Sequence, residues 1–354
     1  MVRKLVVSAA AALLMVPIPA LATSEMGVGD PLIIAHRGAS GDRPEHTLAA
    51  YELAIDQGAD FVEPDLVVTK DLELVSRHEN ELSGTTDVAN REEFEHLRRE
   101  KTINGTRVAG WFAEDFTLAE LRTLRAKERV PGSRPANARY NGLYQVPTFE
   151  EIVKLVRAKE AETGRSIGLY PELKAPNFLL EVEGIDMVDL ILRELRDLGI
   201  EPSDPIFIQC FEVGTLRRLN QRSDFKLIQL IAPEGGPVDE PDMRYAEMIT
   251  PTGLEELAAY ADGIGPWLGH VLDPQSMVQT SLVADAHGFD LKVHPWTLRK
   301  ENGFLPESLQ NEGGPSADGK WRSLWKAAIE SGADGFFTDN VKEFVSLVEN
   351  EDAP

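Results

Sequence analysis

Three acidic residues of the chain fall where they could share one cation. Glu63 and Asp65 stand two positions apart in an apolar stretch, so both side chains point to one face of a strand. Two carboxylates on one face repel each other unless a cation or a shared proton lies between them. Glu172 closes a later apolar run and offers a third carboxylate. Three oxygen ligands with open positions suit a hard divalent ion such as Ca²⁺ or Mg²⁺ better than zinc, so the pattern predicts a metal site.

Two basic residues accompany these carboxylates and leave a second interpretation open. Arg37 follows the first apolar run, and Lys174 follows Glu172 by two positions. Both could form a salt-bridge cluster with the carboxylates. Both could equally bind the oxygens of a phosphate group beside a metal.

Two histidines frame the predicted metal site from separate strands. His36 closes the first apolar run. If Lys70 and Asp71 form a two-residue hairpin turn, His78 lies opposite Glu63 and on the same face. Two imidazoles flanking a phosphate can remove one proton and donate another near neutral pH. The sequence therefore predicts an acid/base pair of His36 and His78.

Eight short apolar runs carry most of these residues and alternate with helical patterns, which is typical of βα units and a parallel sheet. The predicted strands are Leu32–His36, Phe61–Leu66, Ile167–Leu173, Ile206–Phe211, Lys226–Ile231, Gly263–Pro266, Leu291–His294 and Gly335–Thr338. Eight units predict an α/β fold of the (β/α)8 barrel type, in which the C-terminal ends of the strands form the active-site rim. A doubly wound open sheet is the alternative, but no glycine-rich nucleotide fingerprint follows the first strand.

Residues 79–147 interrupt this alternation. The stretch is polar and contains the turn signals Asn104-Gly105, Pro131-Gly132 and Asn141-Gly142. Long excursions from a barrel tend to be functional loops or lids. We predict an insertion after the second strand that lies over the barrel mouth.

The N-terminus has the pattern of a secretory signal peptide. Two basic residues precede the apolar stretch Leu5–Val16, and Ala20-Leu21-Ala22 has the small-x-small form of a cleavage site. A membrane anchor needs about 20 apolar residues, and two prolines interrupt this run. We expect cleavage near Ala22, a single domain over residues 23–354, no stable membrane insertion, and a mature protein that is periplasmic or secreted.

Charge and cysteine content exclude several classes of partner and structure. The 354 residues include 36 Lys and Arg against 59 Asp and Glu, a formal net charge of −23 at pH 7. A surface this acidic repels nucleic acid and anionic membranes, so we expect neither as a partner. Cys210 is the only cysteine, so the fold must be held by its core and not by disulfides. The sequence makes no prediction of the oligomeric state.

These residues and their spacing resemble a known family, the glycerophosphodiester phosphodiesterases, and most closely the bacterial periplasmic type. A match of many spaced motifs in the expected order is far more specific than any one of them. The matching segments are His36-Arg37-Gly38-Ala39, Pro44-Glu45-His46-Thr47, Gly58-Ala59-Asp60 with Glu63-x-Asp65, Thr69-Lys70-Asp71, His78, Tyr170-Pro171-Glu172-Leu173-Lys174, Gln209-Cys210-Phe211, Tyr260-Ala261-Asp262-Gly263-Ile264-Gly265-Pro266, His294-Pro295-Trp296-Thr297 and Phe337-Thr338-Asp339.

The resemblance implies a barrel enzyme that hydrolyses deacylated phospholipids, such as glycerophosphocholine, to sn-glycerol 3-phosphate and an alcohol. It implies one divalent metal ion, Ca²⁺ in preference to Mg²⁺, with ligands at Glu63, Asp65 and Glu172. It also implies that His36 and His78 are the acid/base pair.

The resemblance extends to substrate-binding positions. Arg37 and Lys174 match the phosphate-contacting residues of the family. Glu45 corresponds to a residue close to the metal and the glycerol. Phe211 and Trp296 stand where the family lines its substrate pocket with aromatic side chains.

Two positions depart from the usual family pattern. Glu79 stands where Asp commonly follows the second histidine, which leaves its role open. His46 stands where many members have Asn, and we interpret it as a helix-start residue and make no catalytic claim for it.

Two other functions fit the same barrel. One is the action of a related phospholipase-D-like or phosphoinositide-type phospholipase C on membrane lipids, although no basic or strongly amphipathic lipid-docking segment is evident. The other is a non-catalytic surface or ligand-binding protein, although the two histidines and all three carboxylates are intact.

Overall fold

The computed structural model describes residues 30–349, so the predicted signal peptide, residues 1–22, lies outside the described residues. Residues 31–349 belong to one compact unit. The strands are β1 (Leu32–His36), β2 (Phe61–Glu63), β3 (Asp65–Val68), β4 (Leu74–Ser76), β5 (Arg99–Ile103), β6 (Thr106–Gly110), β7 (Gly168–Leu169), β8 (Glu172–Leu173), β9 (Phe207–Cys210), β10 (Lys226–Ile231), β11 (Gly263–Pro266), β12 (Lys292–Val293) and β13 (Gly335–Thr338). The α-helices are α1 (Leu48–Asp56), α2 (Leu118–Leu121), α3 (Phe149–Thr163), α4 (Pro176–Phe178), α5 (Met187–Asp197), α6 (Val213–Arg222), α7 (Tyr245–Met248), α8 (Pro251–Leu257), α9 (Leu282–His287), α10 (Trp321–Ile329) and α11 (Val341–Val348).

The parallel strands form a closed ring with eight positions. β1 pairs with β13 on one side and with β2 on the other, and β2 pairs with β7. β3 continues the line of β2 and pairs with β8, from which the ring runs through β9, β10 and β11 to β12. Beyond β12, a parallel bridge from Leu298 to Thr338 returns to β13. This ring agrees with the predicted barrel and excludes the open sheet.

Two of the predicted strands are interrupted by a proline near the rim. Pro64 separates β2 from β3, and Pro171 precedes β8, because proline has no N–H to donate to the ladder. The carbonyls of both prolines still accept, Pro64 from the Glu172 N–H at 3.0 Å and Pro171 from the Gln209 N–H at 2.9 Å. The register consequently aligns Asp65 with Glu172 on the neighbouring strand.

The hairpin that follows the second barrel strand differs from the predicted one. β3 and β4 pair antiparallel with Leu66 opposite Ser76. The connection spans Thr69–Glu73, and the Thr69 hydroxyl accepts from the Glu73 N–H at 3.0 Å, which closes a wider loop than expected. The predicted two-residue turn is therefore wrong, and in the observed register His78 is not opposite Glu63.

The 79–147 segment has a small hydrophobic core of its own. This core packs on one face of the β3–β4 hairpin through Val67 and Val75, whereas Leu66 and Leu74 on the other face join the main core. Its larger members are Leu82, Phe94, Trp111, Phe116 and Val146. The segment is thus anchored beside the rim; that it is an insertion stays a prediction.

The interior of the barrel is filled by apolar side chains. They form a cluster of Ile34, Phe61, Tyr170, Ile228 and Phe337, separate from the larger core between the strands and the outer helices. A filled barrel leaves the C-terminal rim as the place for a binding site. No helix within residues 30–349 is both long and apolar enough to span a membrane.

Candidate active site

Three carboxylates meet at the C-terminal rim of the barrel, as predicted. Glu63 ends β2, Asp65 begins β3 and Glu172 begins β8, and all three are buried. Each offers one oxygen, and these oxygens lie within 4.8 Å of one another. A cluster of this kind could bind a metal ion, because carboxylate oxygens are the ligands that hard divalent cations prefer.

Neighbouring side chains orient two of these carboxylates. Gln209 Nε2 donates to Glu63 Oε1 at 3.0 Å, and the Arg37 backbone N–H donates to Glu63 Oε2 at 2.8 Å. His46 Nε2 lies 2.8 Å from Asp65 Oδ2. Asp65 Oδ1 is buried and has no hydrogen-bond partner within the described part of the chain. An unpaired buried carboxylate oxygen is costly unless it binds a cation, so the donor set fits a metal.

The ionisation of the three carboxylates is coupled. Burial and the Asp65 charge raise the pKa of Glu63 well above its usual value, and burial raises the pKa of Glu172 to about 8. Burial would also raise the pKa of Asp65, but Lys174 and His46 hold it well below its usual value. Protons therefore compete for the cluster at neutral pH, and a bound divalent ion would favour full ionisation.

Arg37 and Lys174 both contact the carboxylate cluster. Lys174 Nζ lies 2.6 Å from Glu172 Oε1, and Arg37 Nε lies 3.4 Å from Asp65 Oδ2. The chain turns sharply after β1, with φ of 63° at Arg37 and 84° at Gly38. A Cβ on Gly38 would lie 2.7 Å from the backbone of α1, so only glycine fits there. The salt bridges of the alternative interpretation, between these two basic residues and the carboxylates, are thus present.

In each of the two predicted acid/base histidines, Nδ1 is hydrogen-bonded to a carboxylate. His36 Nδ1 lies 2.6 Å from Asp339 Oδ1, and His78 Nδ1 lies 2.5 Å from Glu79 Oε1. An ionised carboxylate can only accept, so Nδ1 carries the proton and Nε2 is left to accept one. Burial and the Arg37 charge lower the pKa of His36 to about 4 and that of His78 to about 3. Both shifts favour the neutral imidazole over the imidazolium.

Glu45 and Glu79 are joined by one arginine of the 79–147 segment. Arg129 donates to both oxygens of Glu79, at 2.8 and 2.7 Å, and to both oxygens of Glu45, at 2.7 and 2.6 Å. Arg37 Nη1 also donates to Glu45, at 3.3 Å. Glu45 therefore lies beside Arg37 but outside the cluster of three carboxylates, and Glu79 keeps a contact with His78 despite its departure from the family pattern.

The two predicted aromatic residues face each other at the rim. The rings of Phe211 and Trp296 lie 6.0 Å apart in an edge-to-face arrangement. Phe211 lines a cavity of about 210 Å³ together with Glu172, Lys174 and Tyr245. Trp296 lines a second cavity of about 370 Å³, and its Nε1 donates to a carbonyl of β11 at 2.8 Å. Phe211 thus borders space beside Glu172, whereas Trp296 borders a separate cavity and meets Phe211 edge to face.

His46 has a larger role than the sequence suggested. Thr47, not His46, caps α1, since its hydroxyl accepts from a helix N–H at 3.2 Å. His46 is fully buried and lies between the Tyr51 hydroxyl, 2.7 Å from its Nδ1, and Asp65. It therefore orients a predicted metal ligand. Its position next to Glu45 in a matching motif was the available signal.

Other contacts of the site were also missed. Asp339 and Gln209 lie in segments that match the family, but the sequence predicts no role for either residue. Arg129 and Arg134 contact Glu79 and Asp339 from the 79–147 segment, and neither belongs to a motif. Nothing in the local sequence distinguishes them from surface arginines.

Comparison with known proteins agrees with this geometry. Residues 36–343 match the model of the glycerophosphoryl diester phosphodiesterase family. A glycerophosphodiester phosphodiesterase of Arabidopsis thaliana is 35% identical over 324 residues, which cover 87% of this chain and 83% of the relative. A glycerophosphodiester phosphodiesterase of Haemophilus influenzae is 32% identical over 339 residues, with 88% and 87% covered.

A solved structure shares the fold at lower sequence identity. It is that of an Oleispira antarctica phosphodiesterase in complex with the product sn-glycerol-3-phosphate, with a TM-score of 0.60 and 20% identity over 90% of this chain and 97% of that one. The family match spans the rim residues from His36 to Asp339. The chain therefore belongs to the glycerophosphoryl diester phosphodiesterase family.

Proposed function

We propose that this enzyme hydrolyses glycerophosphodiesters, deacylated phospholipids such as glycerophosphocholine, to sn-glycerol 3-phosphate and an alcohol. The observation that best supports the proposal is the convergence of unlike groups at one rim. A buried carboxylate cluster, two cations and two histidines anchored at Nδ1 supply the charge stabilisation and proton transfer with which a phosphodiester can be hydrolysed.

One divalent ion would be held by Glu63, Asp65 and Glu172, and we propose Ca²⁺ in preference to Mg²⁺. The donor set consists of oxygens alone, and Asp65 Oδ1 has no other partner in the described residues. When bound, such an ion polarises a phosphate oxygen and offsets the negative charge that develops on it.

Arg37 and Lys174 bind the remaining phosphate oxygens in this proposal. Arg37 contacts the Asp65 carboxylate, and Lys174 contacts the Glu172 carboxylate. With those carboxylates committed to an ion, both cations are left to pair with the substrate. Glu45 then lies close to the glycerol, and Phe211 and Trp296 line the pocket that receives the substrate.

His36 and His78 transfer the protons at Nε2. One neutral ring removes the proton of the attacking hydroxyl, while Nδ1 remains bonded to its carboxylate. The other ring is protonated beside the anionic phosphate and gives its Nε2 proton to the departing alcohol oxygen. In the second half of the reaction the two rings exchange these roles.

The nucleophile in this proposal is the substrate's own glycerol 2-hydroxyl. The Cys210 thiol is unsuited to attack, because burial raises its pKa well above the usual value. The 2-hydroxyl oxygen forms a bond to phosphorus, the bond from phosphorus to the alcohol oxygen breaks, and a cyclic phosphate results. Water then opens the ring to give sn-glycerol 3-phosphate.

We also propose that the enzyme acts after export, in the periplasm or outside the cell. The support is the sequence of residues 1–22, with its basic start, apolar stretch and small-x-small end.

Product analysis with and without metal tests the proposal. With Ca²⁺ present, glycerophosphocholine should yield choline and sn-glycerol 3-phosphate in equal amounts. EDTA followed by dialysis should abolish turnover, and Glu172→Gln should do nearly the same, since several kcal/mol of transition-state stabilisation is lost. Phosphocholine plus glycerol would refute the orientation, and full activity in excess EDTA would refute the metal.

The same assay separates the two alternative functions. Turnover of phospholipid bilayers without turnover of soluble glycerophosphocholine would favour a membrane-lipid hydrolase. Tight binding of glycerophosphocholine with no product in the presence of Ca²⁺ would favour a binding protein.

A further inference from the structure

We propose that Arg129 and Arg134 are positioning residues, which orient the two histidines through the carboxylates that bind them. The inference rests on the acid/base roles proposed above for His36 and His78. Both arginines belong to one short stretch of the 79–147 segment. That segment consequently completes the catalytic site and does more than flank it.

The first chain of contacts runs from Arg129 to His78. Arg129 Nη1 and Nη2 donate to the two oxygens of Glu79 at 2.8 and 2.7 Å, and Glu79 Oε1 lies 2.5 Å from His78 Nδ1. The same guanidinium donates to Glu45 at 2.7 and 2.6 Å. Arg129 therefore fixes the plane of the Glu79 carboxylate and ties it to a second carboxylate beside Arg37.

The second chain of contacts runs from Arg134 to His36. Arg134 Nη2 donates to Asp339 Oδ2 at 2.6 Å, and Asp339 Oδ1 lies 2.6 Å from His36 Nδ1. Arg134 Nε donates to Glu301 Oε1 at 2.6 Å, and Nη1 donates to the Ser40 carbonyl at 3.0 Å. Each nitrogen of the guanidinium has a partner, so the direction in which Arg134 holds Asp339 is fixed.

The stretch that carries both arginines is held by buried polar contacts. Glu128 accepts from the Val130 N–H at 2.8 Å and from Asn137 Nδ2 at 2.5 Å. Asn137 Nδ2 also donates to the Ser40 carbonyl at 3.2 Å. Glu128 and Asn137 are both buried. Since Ser40 lies in the turn after β1, these contacts dock the stretch against the loop that carries Arg37.

Orientation matters because a histidine transfers protons at Nε2 only while Nδ1 keeps its own proton and the ring faces the substrate. A carboxylate held by one bond can rotate, whereas an arginine that binds both oxygens fixes it. The His78 and Glu79 side chains are 30% and 41% exposed, so the packing around them is a weak restraint. The two bonds from Arg129 supply the restraint that packing does not.

Substitution of Arg129 tests the first chain. Arg129→Met has a similar length but no donor, and we expect kcat for glycerophosphocholine to fall at least about tenfold, within the range of a misaligned acid/base group. Arg129→Lys should restore only part of the loss, because an ammonium cannot bind two carboxylates as a fork. A contribution through Glu45 would appear as a rise in KM instead.

A double-mutant cycle identifies the path of the effect. In a Glu79→Ala background, Arg129→Met should lower kcat by less than about twofold further, because the carboxylate that it orients is already gone. Equal losses of kcat with and without Glu79 would overturn the inference, as would wild-type kcat in Arg129→Met.

Arg122→Met is the matched control. Arg122 lies in the same segment and pairs with Glu151, at a side-chain exposure of 31% against 26% for Arg129. Within residues 30–349 no chain of contacts leads from Arg122 to His36 or His78, so its loss should leave kcat within about twofold of wild type. Thermal unfolding of each variant verifies that the fold is intact.

Arg134→Lys tests the second chain. The lysine keeps the positive charge that the buried Asp339 and Glu301 carboxylates require, but it lacks the fork. We expect kcat to fall at least about fivefold, while the variant still unfolds in one cooperative transition and is therefore folded under the assay conditions. Arg134→Gln, which retains a donor for Asp339, replaces it if the lysine variant does not fold. Unchanged kcat in a folded variant would overturn this half of the inference.

The wild type and His78→Ala are measured in the same series. A wild type that does not turn over glycerophosphocholine would overturn the proposed function and this inference with it. An active wild type, an inactive His78→Ala and an Arg129→Met variant with wild-type kcat would leave the proposed function standing and overturn the inference alone.

Discussion

The two histidine pairs contain the same groups but are held by different parts of the fold. His36 ends β1, and Asp339 follows β13, the strand that neighbours β1 in the ring. Their side chains are 10% and 3% exposed. His78 pairs with the next residue in the chain, Glu79, and these side chains are 30% and 41% exposed. Closure of the barrel sets the first pair, and a local turn of the chain sets the second.

The arginines that support the two carboxylates differ as well. Asp339 Oδ2 accepts from Arg134 at 2.6 Å and from Arg299 at 2.7 Å, and both guanidinium groups lie against the ring of Phe304. Glu79 receives its two arginine bonds from Arg129. The His36 pair is therefore held by Arg299 in addition to Arg134 of the 79–147 segment and is more deeply buried, whereas the His78 pair depends on Arg129 of that segment.

The largest effects should come from removing the histidines themselves. His36→Ala and His78→Ala should each lower kcat for glycerophosphocholine by roughly 10²–10⁴-fold, the range of one acid/base group. A p-nitrophenyl ester of glycerol 3-phosphate separates their roles, because p-nitrophenolate departs without being protonated. The variant that lacks the proton donor should recover most of its activity on this ester, and the other should not.

Unequal recovery is the decisive result of that comparison. Equal recovery of both variants, or of neither, would contradict a division of labour between a base and an acid. The wild-type rate on both substrates and thermal unfolding of both variants are the controls.

Stability should distinguish the two carboxylates. Asp339→Asn leaves the buried Arg134 facing a neutral amide, and because Glu301 still pairs with Arg134 we expect a loss at the lower end of the about 3–5 kcal/mol that a broken buried ion pair costs. Glu79→Gln removes a partly exposed charge and should cost less than about 1 kcal/mol. Urea unfolding of the two variants measures both free energies. A loss at Glu79 as large as that at Asp339 would show that the exposed pair is also built into the fold.

Much of this site could be predicted because its residues occupy fixed places along strands. Glu63, Asp65 and Glu172 stand at strand ends, and a barrel brings the C-terminal ends of its strands to one rim. Because it depends on the strand ends, the prediction of the rim survives an error in the register of a single hairpin. The predicted hairpin register was wrong, yet the His78 ring still lies near the charges of Arg37 and the cluster.

The contacts that could not be predicted join parts of the chain that share no periodicity. Arg134 and Asp339 are 205 positions apart, and Arg129 and Glu45 are 84 apart. Their pairing depends on how the polar 79–147 segment packs against Glu45, Glu79 and Asp339, which the spacing of apolar residues does not encode. His46 illustrates a different limit, since its motif was recognised but the direction of its ring required the structure.

The smallest effect is expected at Arg299. Arg299 also donates to Asp339 Oδ2, but its side chain is 28% exposed against 7% for Arg134, which Glu301 and the Ser40 carbonyl hold in place. Arg134 should therefore keep the carboxylate in place when Arg299 is removed. We expect kcat of Arg299→Met to stay within about threefold of wild type, against a loss of at least about tenfold for Arg129→Met. Steady-state kinetics of both variants under one set of conditions measure this ratio. A change in KM would indicate that Arg299 affects substrate binding through the cavity that it lines beside Trp296, and not through the orientation of the Asp339 carboxylate. If Arg299→Met lowered kcat as much as Arg129→Met, the second arginine on Asp339 would not make the His36 pair less sensitive to the loss of one arginine. The two histidine pairs would then differ only in their exposure to solvent.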